Sequence, residues 1–245
     1  MNLSADFADD TDCVQRGNSG VWETRENHMD SAREETLGKV RASLGRGPGS
    51  PVAPVPPTAR VKPRAVGTAD AEIEQLLTEI GKLNGVTRRL ASRDDLRVAM
   101  AELVKAEAVK KATLWSTPDL MAWDVIGILT ALGIEIVSPQ ADKHLVAECE
   151  LGVTGVDAAL PETGTLLLRS SPERPRIVSL LPRVHLAILT RAGFRPDLHQ
   201  IFAEVKHDPY CVLVTGPSRT SDIELTLTLG VHGPKSLYVW LLDGA

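Results

Sequence analysis

Apolar positions along the chain switch between two spacings, and the switches mark its elements. From Asp70 to Leu83 the apolar residues Ile73, Leu76, Leu77 and Ile80 recur at helical spacing. From Asp94 to Lys111 a second amphipathic run follows Ser92, a hydroxyl suited to capping a helix start. Between and after these lie short β-rich pieces, Val86 to Leu90, Ala112 to Ser116 and Ile134 to Val137. Thr117-Pro118 reads as a cap with proline in the first turn, opening a helix from Asp119 to Leu132 that Gly133 closes. This strand-helix-strand rhythm predicts βαβ crossovers, and with them parallel strand pairs covered by helices on both faces.

The second half has a different texture. Val153 to Leu160, Thr165 to Leu168, Ile177 to Leu181 and Val184 to Leu189 read as strands joined by short turns rich in proline and glycine, which favour antiparallel neighbours. Pro196 to Lys206 reads as a helix, with strands at Tyr210 to Thr215 and Leu237 to Leu242. The expected fold is α/β, a mixed parallel and antiparallel sheet covered by helices, over residues 65–245. Ahead of it come a polar, aperiodic stretch (1–28), a helix within 29–45, running from Asp30 to Leu44, and a proline-rich linker (46–64). The first stretch reads either as a disordered extension or as a start placed upstream of Met29.

At 245 residues and 43% hydrophobic content the chain can bury one sizeable core. Its net charge is -5 and its basic residues are scattered, which argues against a nucleic-acid groove or a membrane patch. Cys13, Cys149 and Cys211 are far apart and form no pair spaced for zinc or an iron-sulfur cluster, so no metal or cofactor is expected on this chain. No run approaches the ~18 apolar residues of a membrane helix, and Asp6, Asp9, Asp10 and Asp12 do not suit a signal peptide. A cytoplasmic protein without a membrane span is expected.

The richest candidate chemistry lies between Val212 and Glu224, a strand ending at Thr215 that opens through Gly216-Pro217 into Ser218, Arg219, Thr220 and Ser221. Ser221 with Glu224 three positions on matches a capping box, predicting a helix start whose unpaired amides favour an anion, with Arg219 adding a guanidinium fork. The bland alternative leaves the hydroxyls as caps and Arg219 in solvent. Neither a P-loop nor a dinucleotide fingerprint is present. His185, inside an apolar run, is either a satisfied core histidine or a neutral base or donor beside a carboxylate. His232, in the loop before the last strand, could face the same crevice at the carboxyl end of the sheet. Asp157 reads as a turn brace, Trp115 and Trp123 as core, and Lys105, Glu107, Lys110 and Lys111 as a solvated helix face.

Three segments taken together resemble the LUD family, in its lactate utilization protein C branch. They are Gly152-Val-Thr-Gly-Val-Asp157 through Pro161-Glu-Thr-Gly-Thr165, then Ser179-Leu-Leu-Pro-Arg-Val-His-Leu-Ala187, and lastly Thr215 to Glu224 with Gly230-Val-His-Gly-Pro-Lys235. The resemblance covers roughly residues 30–245. It implies a fold similar to the NagB/RpiA/CoA-transferase group and a subunit of an L-lactate utilization system. In that system L-lactate is oxidised to pyruvate with iron-sulfur partner subunits, and this chain is an accessory member without a redox cofactor of its own. A glutamate placed like Glu162 serves CoA transferases as nucleophile, so Glu162 is either that, a solvated turn residue or a hydrogen-bonded structural carboxylate. The competing expectation is a stand-alone enzyme or sensor that binds a phosphorylated or CoA-linked carboxylate in the Thr215 to Thr220 loop.

Overall fold

A computed structural model describes residues 32–47, 64–208, 210–221 and 227–243. The chain forms two units, Met1–Arg60 and Val61–Ala245. In the first, residues 32–43 form helix α1, whose side chains are exposed apart from a half-buried Leu37. Lys39 Nζ donates to Glu35 Oε1 at 2.7 Å, an i,i+4 pair on its polar side.

The second unit opens with α2 (Ala69–Lys82), β1 (Val86–Leu90), α3 (Arg93–Ala106) and β2 (Lys111–Leu114). It continues through α4 (Pro118–Ala122), α5 (Val125–Ala131), β3 (Glu135–Val137), α6 (Lys143–Ala147) and β4 (Leu151–Gly155). Then come β5 (Ala158–Leu160), β6 (Thr165–Arg169), α7 (Ile177–Leu180), β7 (Val184–Thr190) and a short 3-10 turn, Arg191–Gly193. The chain finishes with α8 (Leu198–Val205), β8 (Cys211–Val214), β9 (Arg219–Ser221), β10 (Leu227–Leu229) and β11 (Ser236–Leu242).

Six strands make a wholly parallel sheet in the order β1-β11-β7-β4-β2-β3. Beside it, β5, β6 and β8 form a three-stranded antiparallel sheet, and β9 pairs with β10 as an antiparallel hairpin. Both pairing types are present, and helices cover the large sheet. On one face Leu96, Met100 and Leu103 of α3 and Ile128 and Leu129 of α5 pack with Leu151, Val153, Leu186, Ile188 and Trp240. On the other, Ile73, Leu76 and Ile80 of α2 pack with Ala187, Leu189, Val239 and Leu241, and with Ala159 and Leu166 of the small sheet. The strand faces alternate because successive side chains of a strand point to opposite sides.

The connections have a direction that matters for ligands. From β2 the chain runs outward through α4 and α5 to the edge strand β3, whereas from β4 it runs the other way, through the small sheet and α7, to β7. The loops leaving the carboxyl ends of β2 and β4 therefore part in opposite directions.

Capping explains several helix starts. Ser92 and Asp95 form a reciprocal capping box on α3, and Thr117 caps α4 with Pro118 in the first turn. Other expectations need correction. Asp119 to Leu132 is two helices, because Asp124 takes a left-handed φ of 56° and restarts the chain. Val153 to Leu160 is two strands in different sheets; Asp157 sits at the break and accepts from Arg169 N at 2.7 Å and Arg174 Nη1 at 2.8 Å. Ile177 to Leu181 is helical, since its apolar run packs over β4, so closely that a Cβ on Gly152 would lie 2.0 Å from the Val178 carbonyl oxygen. The charge run after Lys105 is not a solvated helix face. Glu107 ends α3 and accepts from Arg183 and from the Tyr238 hydroxyl at 2.8 Å, while Lys111 is already in β2. Trp115 and Trp123 are core residues.

A polar cluster ties the carboxyl end of β11 to its neighbours. Asp243 accepts from Arg89 and Arg191, and both arginines also reach Asp70 at the start of α2.

Candidate functional site

The loop after β8 turns back on itself through two glycine-dependent contacts. Gly216 has φ +90°, and a Cβ there would stand 3.1 Å from Leu83 Cβ at the end of α2, so only glycine fits without strain. Ser218 N donates to Pro234 O at 3.0 Å, and Gly230 N donates to Ser218 O at 3.0 Å. These bonds clip the start of the β9–β10 excursion to its end. They bring the 215–218 loop against the 232–234 loop, far apart in sequence.

Between these loops opens a cleft of about 380 Å³. Thr215, Gly216 and Ser218 line one side, His232 and Gly233 another, and Ser179 of α7 a third, with His185 of β7 at its floor. Among the described residues no lysine or arginine lines it. Leu180, Leu213, Val214 and Leu237 make much of the remaining wall.

His185 is 1% exposed, and its Nε2 lies 2.8 Å from the Thr154 hydroxyl of β4. Burial alone pushes its imidazole down to about 4, so the ring is neutral at pH 7. The pairing follows from register: Gly152 sits opposite His185, and Thr154, two residues on, shares that face. A chain of hydroxyls also leads out of the cleft. Thr215 Oγ1 is 2.9 Å from Thr165 Oγ1, which is 2.8 Å from Thr163 Oγ1 in the turn between β5 and β6.

The structure thus gathers five residues singled out in the sequence, Thr215, Gly216, Ser218, His185 and His232, around one cleft. It does not bring Arg219 or Glu162 to that lining. Arg219 donates through Nη2 to the carbonyl of Leu83, where it closes the end of α2. Glu162 is exposed in the turn next to Thr163 and contributes charge near Arg64. Thr220 is placed by its backbone, in β9 opposite Thr228.

Two expectations about this region are corrected. Ser221, expected to cap a helix, lies in a strand: Arg219–Ser221 pairs with Leu227–Leu229 as a hairpin, and Glu224, with the rest of 222–226, lies outside the described residues. The alternation of Leu227 and Leu229 about Thr228, a period of two, suits this strand pairing. The cleft also lies at the amino ends of β7 and β11, not at a carboxyl end of the large sheet. The reason is that β8 belongs to the small antiparallel sheet, so the loop after it emerges at the opposite side. Thr154 and Thr165 were missed in the sequence, because their partners are 31 and 50 residues away and only strand pairing joins them.

Comparison with known proteins adds an independent line. The LUD domain model matches residues 73–242. A protein of Halalkalibacterium halodurans named lactate utilization protein C is 27% identical over 231 residues, covering 88% of this chain and 100% of the relative. The protein of that name from Shouchella clausii is 28% identical, covering 86% and 98%. Among solved structures, a DUF162 family protein from Deinococcus radiodurans superposes with a TM-score of 0.55 at 17% identity, over 72% of this chain and 99% of that one. The last likeness concerns the fold.

Proposed function

Because the chain belongs to the LUD domain family, we propose that it serves lactate utilization, the process for which its relatives are named. The observation that carries this reading is the alignment with those relatives over nearly their whole length. In this reading the chain is a cytoplasmic accessory subunit that supports oxidation of L-lactate to pyruvate. Iron-sulfur partner subunits carry the electrons, and this chain holds no redox cofactor. The one buried thiol described, Cys149, has its pKa pushed up to about 11 by burial, which makes it a poor metal ligand.

The cleft suits a small monocarboxylate with an oxygen on the neighbouring carbon. The hydroxyls of Ser218 and Thr215 on its lining can donate to such a ligand, and among the described residues no lysine or arginine lines it to select a phosphate instead. A histidine that protonates only near pH 4 holds a ligand by neutral hydrogen bonding and is a weak proton acceptor at pH 7. Deleting the gene should abolish growth on L-lactate, and a Ser218→Val copy should restore it poorly. Unimpaired growth of the deletion strain would remove the reading.

One observation favours a second reading, a stand-alone enzyme acting on a CoA-linked carboxylate with Glu162 as nucleophile. The Thr163, Thr165 and Thr215 hydroxyls connect the turn that carries Glu162 to the cleft. Thioester turnover by the isolated chain, lost in Glu162→Gln, decides between the two.

A further inference from the structure

A second cleft, of about 620 Å³, lies on the large sheet where the connections from β2 and β4 diverge. Ser116, Thr117 and Asp119 follow the end of β2, and Gly155, Val156 and Asp157 the end of β4. In parallel α/β sheets that divergence opens a crevice at the carboxyl ends of the strands, where ligands bind. The lactate cleft proposed above is elsewhere, at the amino ends of β7 and β11, so this crevice stands without an assigned role.

Its wall is fixed. Trp115, 1% exposed, donates from Nε1 to the Pro175 carbonyl at 2.9 Å, and the Arg174 guanidinium lies over its ring at 5.8 Å. Asp157 uses one carboxylate oxygen on Arg169 N and the other on Arg174 Nη1, which holds the guanidinium at the crevice. Among the described residues, Nε and Nη2 of Arg174 have no hydrogen-bond partner. Glu173 accepts from Ser171 Oγ at 2.7 Å and stays exposed, as does Asp119.

Charge selects the ligand. Three carboxylates, Asp119, Asp157 and Glu173, face one guanidinium, Arg174, which Asp157 already offsets. A phosphate or a free carboxylate entering here would meet net negative charge. A ligand made of hydroxyls meets the reverse: carboxylates to accept from adjacent O–H groups, and serine, threonine and arginine donors for its oxygens. Val156 and Pro118 offer an apolar strip for the C–H face of a ring. We propose that this crevice binds an uncharged carbohydrate ring through its vicinal hydroxyls, as a free sugar or as a ribonucleoside. The hydroxyl pair donates to Asp119 and Glu173, and a ring or hydroxyl oxygen accepts from Arg174.

The test is saturation-transfer NMR on the full chain with D-ribose, adenosine, 2′-deoxyadenosine and adenosine 5′-monophosphate. Transfer to the ribose protons of adenosine is expected, with affinity reduced about tenfold for the 2′-deoxy compound, the loss of one charge-assisted hydrogen bond. Binding of D-ribose as tight as adenosine assigns the site to free sugars; much weaker binding assigns it to nucleosides. The monophosphate should bind more weakly than adenosine, and Asp119→Asn with Glu173→Gln should weaken adenosine and reverse that order. Both side chains are exposed, so the double variant keeps the fold. His232→Ala, in the other cleft, should change nothing. The proposal is overturned if adenosine and D-ribose show no transfer, if the monophosphate binds wild type as well as adenosine does, if the double variant binds unchanged, or if His232→Ala abolishes binding. None of these results bears on growth on lactate, so this proposal and the lactate role fail separately.

Discussion

Replacing His185 with glutamine tests what burial does to this molecule. In the folded chain the imidazole sits in the sheet, held down to about 4 by loss of water, while in the unfolded chain it returns to the usual 6.5. Between those values the unfolded state binds a proton that the folded state refuses, so stability falls as pH drops through the window and is fully present above it. The linkage relation gives a loss of about 2 kcal/mol at pH 5 and about 3 kcal/mol at pH 4, relative to pH 7.5. His185→Gln cannot titrate and keeps an amide for Thr154, so its curve should lack this component while sharing every carboxylate effect with wild type. Urea unfolding followed by tryptophan fluorescence at pH 7.5, 6, 5 and 4 reads the difference directly. Wild-type and variant stabilities that run parallel across that range would refute the buried, neutral imidazole.

Other substitutions probe the framework around the cleft. Gly216→Ala forces a β-carbon onto Leu83 at a left-handed φ and should cost roughly 1–3 kcal/mol in thermal or urea unfolding. Gly152→Ala drives a methyl into the Val178 carbonyl and should be worse, on the order of 3 kcal/mol or failure to fold, read by expression and circular dichroism. Ser92→Ala removes half of the capping box of α3 and should lower stability by about 1 kcal/mol. Arg219→Ala, which frees only the Leu83 carbonyl, should leave lactate binding within about twofold of wild type by titration calorimetry, since its guanidinium does not line the cleft.

The parts of the fold legible in the sequence are those set by local signals. The helical spacing of Ile73, Leu76 and Ile80, the hydroxyl at Ser92 and the Thr117-Pro118 pair each dictate an element within a few residues of themselves. The apolar run Ile177 to Leu180 carries no such signal, because a short apolar segment satisfies strand and helix alike and its neighbour across Gly152 decides. Likewise the residues of the cleft were visible singly, in motifs with unusual glycines and hydroxyls. Their convergence on His185 and His232 was partly visible, but the end of the sheet they occupy was not, since that depends on β8 joining the small sheet. The crevice between β2 and β4 escaped for the same reason: strand order creates it, and strand order is not written in any single segment.

The position of β11 has a consequence for how the chain assembles. This strand, made of residues 236–242, is flanked by β1 and β7, so β1 has no partner in the large sheet until synthesis has passed some 150 residues beyond it. During translation the first strand must wait, exposed or held by its own helices, for the last to arrive. Folding then includes a slow, non-local closing step, and removing the final strand residues would open the sheet between β1 and β7, leaving β1 detached.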